Sequence, residues 1–295
     1  MGNIANAYAE TSTVALFVTT DDLGTVEFTV EYLGKIEIFE ARKGRTTFVN
    51  LPVGKVGEIG DMRISKEKER NKGIHVKATD PSKLLTVCGI NDADVTTDAF
   101  LALPCHRYPV VDYKYFMFST NTKSSIQTLR SRFLIVACED DTRVTIHPTQ
   151  QIKMERDLTG LPFPTFVSSD NSASFTINQL STALFNAQDD LTGTIIKSNK
   201  PLSVFVGHEC GNIPETFTSC DHLVEQIPPD ATWGTQFFTV PLNIRESGER
   251  YRIGTVTDDN QVNVTCTTEG QTMPRLQITE TIQSLRGTSE TIRGI

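Results

Sequence analysis

One stretch of this chain is written more than once. Residues 132–146 read RFLIVACEDDTRVTI and residues 250–264 read RYRIGTVTDDNQVNV, a gapless match 118 positions apart. Residues 17–30, FVTTDDLGTVEFTV, share the grammar, with Asp21 and Asp22 lying 119 positions before Asp140 and Asp141. Each copy alternates apolar and polar residues, bends at an Asp-Asp pair and alternates again. Val26, Phe28 and Val30, then Val144 and Ile146, then Val262 and Val264 mark the apolar face. Such alternation is the mark of a half-buried strand, whose successive side chains point to opposite faces. Asp tolerates left-handed backbone and bonds its own main chain, so the corner predicts a hairpin turn.

A second block recurs in the same order. Gly73, Lys77 and Pro81 match Gly193, Lys197 and Pro201 at a spacing of 120. Leu84 and Leu85 then face Val204 and Phe205. TDAFLALP at 97–104 faces CDHLVEQIP at 220–228, with Asp98 opposite Asp221, and YFMF at 115–118 faces FFTV at 237–240. Matched order with spacings drifting only from 118 to 123 predicts duplication of a unit of about 118 residues. No segment holds a 3.6-residue period; residues 181–190 and 67–71 are the weak candidates for a helical turn. The fold class this predicts is all-β, as tandem antiparallel β-sandwich-like repeats. The period is too long for propeller blades of about 40–50 residues.

The boundaries fall at 1–130 for the first repeat and 131–249 for the second, with residues 250–295 as the opening strands of an incomplete third. A sandwich lacking most of one sheet leaves strand edges unpaired. The chain is therefore expected to be a fragment of a longer protein, and the want of a leader at its start then says nothing about secretion.

Charge narrows the function classes. Lys plus Arg is 28 against 36 Asp plus Glu, a net charge of −8. Nucleic-acid binders present a basic patch to the phosphates. The richest basic stretch, Lys66 to Lys72, is interleaved with Glu67 and Glu69 and reads as a solvated face. No apolar run approaches the ~20 residues of a membrane-spanning helix. Nucleophile and phosphate motifs are missing: there is no G-x-S-x-G, no G-x-x-x-x-G-K-[ST], no G-x-G-x-x-G after a strand and no H-E-x-x-H.

The densest polar chemistry is His208, Glu209 and Cys210 with Cys220, Asp221, His222 and Glu225. Two Cys and two His can ligate zinc tetrahedrally. Alternatively Cys210 and Cys220 close a ten-residue loop as a disulfide, or both stay thiols. An enzyme would have to rest on this cluster as a zinc-dependent hydrolase. Six Cys is an even count, yet 295 residues can bury a core without disulfides. A Cys88–Cys105 bridge fits by position, although the repeat does not copy it. Cys138 and Cys266 have no repeat counterparts and can pair with each other, or Cys266 with something beyond Ile295.

Other constellations read as structure. Asp92, Asp94 and Asp98 fail the calcium-loop pattern, since Thr97 and Leu103 stand where Gly and Glu belong; a solvated loop is expected. Trp233, the single Trp, is expected in the core. Asn263 opens an N-x-T glycosylation sequon and faces outward if Val262 and Val264 face in.

The string KPLSVFVGHECGN…CDHLVEQIPPDATWGTQFFTVPL resembles the IgGFc-binding protein N-terminal domain family, and NKGIHVKATDP…TTDAFLALP is similar to that family's preceding unit. The resemblance runs from about Leu16 to Thr267. It implies an extracellular, secreted or surface location, often in mucus-type proteins, and binding rather than catalysis. Antibody Fc binding is known for the namesake, and no residue motif carries it over. An extracellular setting also favours the Cys210–Cys220 disulfide and glycosylation at Asn263. The expected function is a non-catalytic binding or adhesion module without cofactors. Its expected ligand is a glycoprotein or a matrix or mucus component. The zinc-dependent hydrolase built on His208, Cys210, Cys220 and His222 and a purely structural spacer are the alternatives.

Overall fold

The computed structural model describes residues 13–52, 72–93, 96–119, 131–149, 153–154, 172–187, 190–212, 219–239, 250–255, 267–268, 271–272 and 291–293. Among them the regular structure is antiparallel strand with one short 3-10 turn, Asp230–Thr232. The first set of strands is β1 (Thr13–Thr19), β2 (Thr25–Tyr32), β3 (Lys35–Arg42), β4 (Thr47–Leu51), β5 (Ile74–Ala78), β6 (Thr86–Ala93) and β7 (Thr96–Leu101). They form two sheets, in the orders β4-β1-β6-β7 and β3-β2-β5. The second set is β8 (Tyr113–Phe116), β9 (Ser131–Ala137), β10 (Thr142–His147), β11 (Lys153–Met154), β12 (Ala173–Ile177), β13 (Thr182–Ala187), β14 (Ile195–Ser198), β15 (Leu202–Gly211) and β16 (Asp221–Ile227). Their sheets run β11-β13-β9-β15-β16 and β12-β10-β14-β8. Short pairs β17 (Arg250–Arg252) with β20 (Thr291–Arg293), and β18 (Thr267–Thr268) with β19 (Gln271–Thr272), follow.

Alternation explains why each set folds into two layers. Leu16, Val18, Val49 and Leu51 from one sheet share a buried cluster with Phe28, Val30, Tyr32 and Ala41 from the other. A second, separate cluster joins Phe133, Ile135, Phe185, Val204 and Val206 to Tyr115, Val144, Ile146 and Ile196. Sheets whose apolar faces meet in this way form sandwiches. Phe133 and Phe185 stack at 4.7 Å with rings nearly parallel at the centre of the second core.

The Asp-Asp corners are not hairpins. β1 pairs with β4 and β6, while β2 pairs with β3 and β5. Likewise β9 and β10 belong to opposite sheets. The corner therefore arches from one layer to the other, because both flanking strands need their apolar faces turned toward the same core. Asp141 takes left-handed backbone, φ 52°. Its neighbour Asp140 accepts the amide of Gln179 at 3.1 Å, and Asp22 accepts that of Leu84 at 2.8 Å. Each corner is thus tied to the neighbouring connection between its two sheets, β5–β6 in the first set and β12–β13 in the second. One hairpin of the first set lies instead at Leu33 and Gly34, between β2 and β3, where both residues have positive φ as a two-residue turn demands.

Three further expectations are corrected. Residues 181–190 supply strand β13 rather than a helical turn, since Ala183 and Phe185 face the core beside Phe133 and Ile135. Asp92 and Asp98 lie not in a solvated loop but on paired strands, with Thr97 donating its hydroxyl to Asp92. Trp233 is only half-buried and belongs to neither core; it leans on Phe116 and Phe118 at 5.7 and 6.0 Å. Residues 66–71, Asp94, the third Asp-Asp corner, Asn263 and Cys266 lie outside the described residues.

Candidate functional site

The His-Cys cluster sits on the β15–β16 hairpin at the edge of the second sandwich. The ladder runs in register from Val204 opposite Ile227 to His208 opposite Leu223, then slips before Gly211 meets Asp221. That slip is a β-bulge, which bends the strand and re-aims its side chains. Across it Cys210 and Cys220 form a disulfide with Cα atoms 5.1 Å apart, within the ordinary span of about 4.4–6.8 Å. The bridge therefore pins the loop end of the hairpin, beside the Gly211–Asp221 pair.

Nothing in this geometry supports the zinc reading. A cysteine binds zinc as its thiolate, and here each sulfur is bonded to the other. Nor do the imidazoles converge. His208 faces the side of Leu223, while its neighbour His222 alternates to the opposite side with Val224. Both are buried, at 3% and 1% exposure. The Nδ1 of His208 accepts the Cys210 amide at 3.1 Å. Burial pushes the His208 pKa down to about 4, so the ring stays neutral at physiological pH. Among the described residues no group of three or more His, Cys, Asp or Glu is placed to hold a metal.

The Cys88–Cys105 expectation is also corrected. Cys88 keeps a free thiol on β6, opposite Leu101. Cys105 lies four residues beyond Leu101, where the chain has left that ladder, and it bonds Cys138 just after β9 instead. Cys138 is thereby unavailable to Cys266. Two residues on, the Arg107 guanidinium forks onto Glu139, with Nε to carboxylate at 2.6 Å. That ion pair holds the Glu139 carboxyl below its usual range. Disulfide and fork together fasten the segment after β7 along the β9–β10 arch.

The same region joins the two sandwiches. Edge strand β7 meets edge strand β16 through side chains rather than a backbone ladder. Asp98 accepts the Val224 amide at 2.7 Å, and Asp221 accepts the Thr97 amide at 3.1 Å. Gln226 caps Leu103 from both sides, accepting its amide at 2.9 Å and donating to its carbonyl at 3.3 Å. Phe100 and Phe205 meet edge to face at 4.9 Å. Desolvation raises the Asp98 carboxyl, with Asp221 adding to it, and raises Glu225 as well.

β8 crosses the same divide. It precedes the boundary drawn at residue 130, yet it pairs with β14 of the second sandwich. Tyr115 anchors it, donating its hydroxyl to the Leu202 carbonyl and accepting the Leu202 amide, both at 2.9 Å. Sequence reasoning missed this anchor. The only signal was the recurrence of the aromatic block at 115–118 and 237–240.

The family model described as IgGFc binding protein matches residues 98–292, about two-thirds of the chain. The chain belongs to the IgGFc-binding family. The human protein named IgGFc-binding protein is 29% identical over 90 residues, which are 30% of this chain and 2% of that protein. The chain thus spans a small part of the length of the curated relative it matches. No solved structure matches it. The family match covers the β15–β16 hairpin, both disulfides and the joint from Asp98 onward, so these elements lie in the part shared with the family. No helix among the described residues is long and apolar enough to cross a membrane.

Proposed function

We propose that this chain is an extracellular, non-catalytic binding module whose ligand is a glycoprotein or a matrix or mucus component. The observation that carries the reading is the Cys210–Cys220 disulfide, which turns the one dense His-Cys cluster into a structural clasp. With both sulfurs oxidised and His208 buried and neutral, that hairpin offers grip and shape rather than a nucleophile or a Lewis acid. Two disulfides suit an oxidising compartment. Membership of the IgGFc-binding family supports a protein partner. Antibody Fc, itself a glycoprotein, comes in only through the name of the human relative. The same reading takes residues 1–130 and 131–249 as two repeats, residues 250–295 as the start of a third, and Asn263 as a glycan acceptor.

Biolayer interferometry with the 295-residue chain tests it. Immobilised Fc, a purified mucin, and the same mucin stripped of glycans are the three surfaces. Saturable binding to Fc or mucin that fades after disulfide reduction is expected. No binding to any surface by the oxidised, folded chain would overturn the binding role and favour a spacer.

A further inference from the structure

In the second sandwich, sheet β12-β10-β14 carries a fourth strand, β8. The matching sheet of the first sandwich, β3-β2-β5, stops at three among the described residues. β5 and β14 hold the same place in their sheets, beside β2 and β10, and they carry the matched Lys77 and Lys197. The outer edge of β5 is therefore built like an edge that, in this same molecule, accepts a strand.

Backbone parity shows which groups that edge offers. Thr79 donates to the Glu27 carbonyl at 2.9 Å, so Lys77 and His75 also bond toward β2. The amides and carbonyls of Ile74, Val76 and Ala78 then point outward. In β14 the equivalent positions are Thr194, Ile196 and Ser198. Met117 donates to Thr194 at 3.0 Å, while Tyr115 stands opposite Ile196 and Tyr113 opposite Ser198. The flank beneath differs in cover. Ile196 is fully buried beside Tyr115, whereas Val76, Leu85 and Val87 are only partly buried against the first core.

The counterpart of β8 is also present and unused. Residues 235–238, Thr-Gln-Phe-Phe, stand 122 positions after Tyr113 to Phe116. They lie outside any strand, with a bend at Thr235, pair with no strand among the described residues, and hold Phe237 and Phe238 at 79% and 89% exposure.

We propose that residues 235–238 of one copy add as a strand to the outer edge of β5 in a second copy. Val76 opposes Phe237 as Ile196 opposes Tyr115, and Ala78 opposes Thr235. Phe237 enters the open flank beside Val76 and Val87, and Phe238 takes the place of Phe116, on the opposite face of the strand from Tyr115. Gln236 falls opposite Lys77, which avoids the like-charge pair that Lys114 and Lys197 make inside the molecule. Strand addition of this kind draws affinity from main-chain bonds and specificity from alternate side chains. Donor and acceptor are different surfaces, so the contact is head-to-tail and propagates into open chains or rings.

Sedimentation velocity on the 295-residue protein over a concentration series tests this. The wild type associates beyond the dimer as concentration rises. Val76→Pro deletes an outward amide without touching the β2 ladder, and Phe237→Asp with Phe238→Asp removes the donor. Each variant alone stays monomeric, and an equimolar mixture forms dimers only, since one copy keeps a sound edge and the other a sound donor. Circular dichroism checks that both fold. Independently, a synthetic peptide of residues 231–242 dissolves the wild-type assemblies. A wild type that is monomeric throughout, variants that associate as it does, a mixture that does not pair, or a peptide without effect would each overturn the proposal.

Discussion

Asp98 and Asp221, which stand opposite one another in the repeat alignment, each accept an amide from the other's strand: Val224 donates to Asp98 at 2.7 Å and Thr97 to Asp221 at 3.1 Å. Two edge strands that would otherwise end in open amides are closed by reciprocal carboxylates. An edge satisfied by a side chain is blocked against further pairing. The two sandwiches thus meet at a joint where the Asp98, Asp221 and Glu225 carboxyls lie close enough to repel one another.

That joint predicts a pH response. Desolvation raises the Asp98 carboxyl above its unfolded value, so the folded state takes up a proton first as pH falls. Its ionised form is penalised at neutral pH, and stability therefore rises as pH drops from 7 through the raised value. Glu225 acts in the same direction. Asp98→Asn keeps an acceptor for Val224 and should flatten this rise. Chemical denaturation at pH 7 and pH 5 measures it; an unchanged pH increment in the variant would refute the assignment.

His208 works in the opposite sense. Its folded pKa of about 4 lies below the ordinary imidazole value. Protons taken up by the unfolded chain below about 6.5 are refused by the folded one, so stability is lost as pH falls from there to about 4. The full loss is at most about 3.5 kcal/mol. His208→Gln should cost stability at pH 7 through poorer packing yet show a shallower acid limb in thermal melts.

Tyr115→Phe removes two hydrogen bonds at once and leaves the Leu202 amide and carbonyl buried without that partner. The expected cost is about 1–3 kcal/mol. Amide hydrogen exchange should quicken in β8 and β14 before it does in β9. Equal quickening throughout the second sandwich would argue against a local anchor.

Reduction separates the two disulfides. Chain entropy gives about 2.7 kcal/mol for the 10-residue separation of Cys210 and Cys220 and about 3.7 for the 33-residue separation of Cys105 and Cys138. Paired Ser substitutions at each bridge should lower the melting temperature in that order. The Cys105–Cys138 pair should also loosen the joint, seen as faster exchange at Thr97 and Val224.

Gly73 predicts a packing failure rather than a turn failure. A β-carbon there would lie 2.6 Å from the Leu180 carbonyl oxygen, which already accepts the Gly73 amide at 2.9 Å. Its repeat partner Gly193 is a glycine for another reason, a φ of +88°. Gly73→Ala should destabilise by roughly 1–3 kcal/mol, whereas Lys72→Ala should not; differential scanning calorimetry decides.

Alternation along residues 26–30 and 144–146 was enough to name strands, their buried faces and an all-β class, because side-chain period depends on the backbone alone. The recurrence of Gly-x-x-x-Lys and of the Asp-Asp corner marked matched segments, and these take matched places in the sheet orders. What alternation cannot carry is the identity of a strand's neighbour. Hence the corner at Asp140 was read as a hairpin and turned out to be an arch, and Cys105 was matched to Cys88 and found Cys138. The partners of the 105–138 bridge are distant along the chain and come together only after β9 is placed.

The sequence alone determined that this chain folds as antiparallel strands with alternating faces, and that it carries no G-x-S-x-G, P-loop or H-E-x-x-H motif. Only tertiary structure decided which edges meet. It set Asp98 against the Val224 amide, Cys210 against Cys220 in place of a metal, and β8 across the boundary between sandwiches. The physical reason is that a residue's face follows from local geometry, whereas its contacts depend on which sheets stack and how their edges are satisfied.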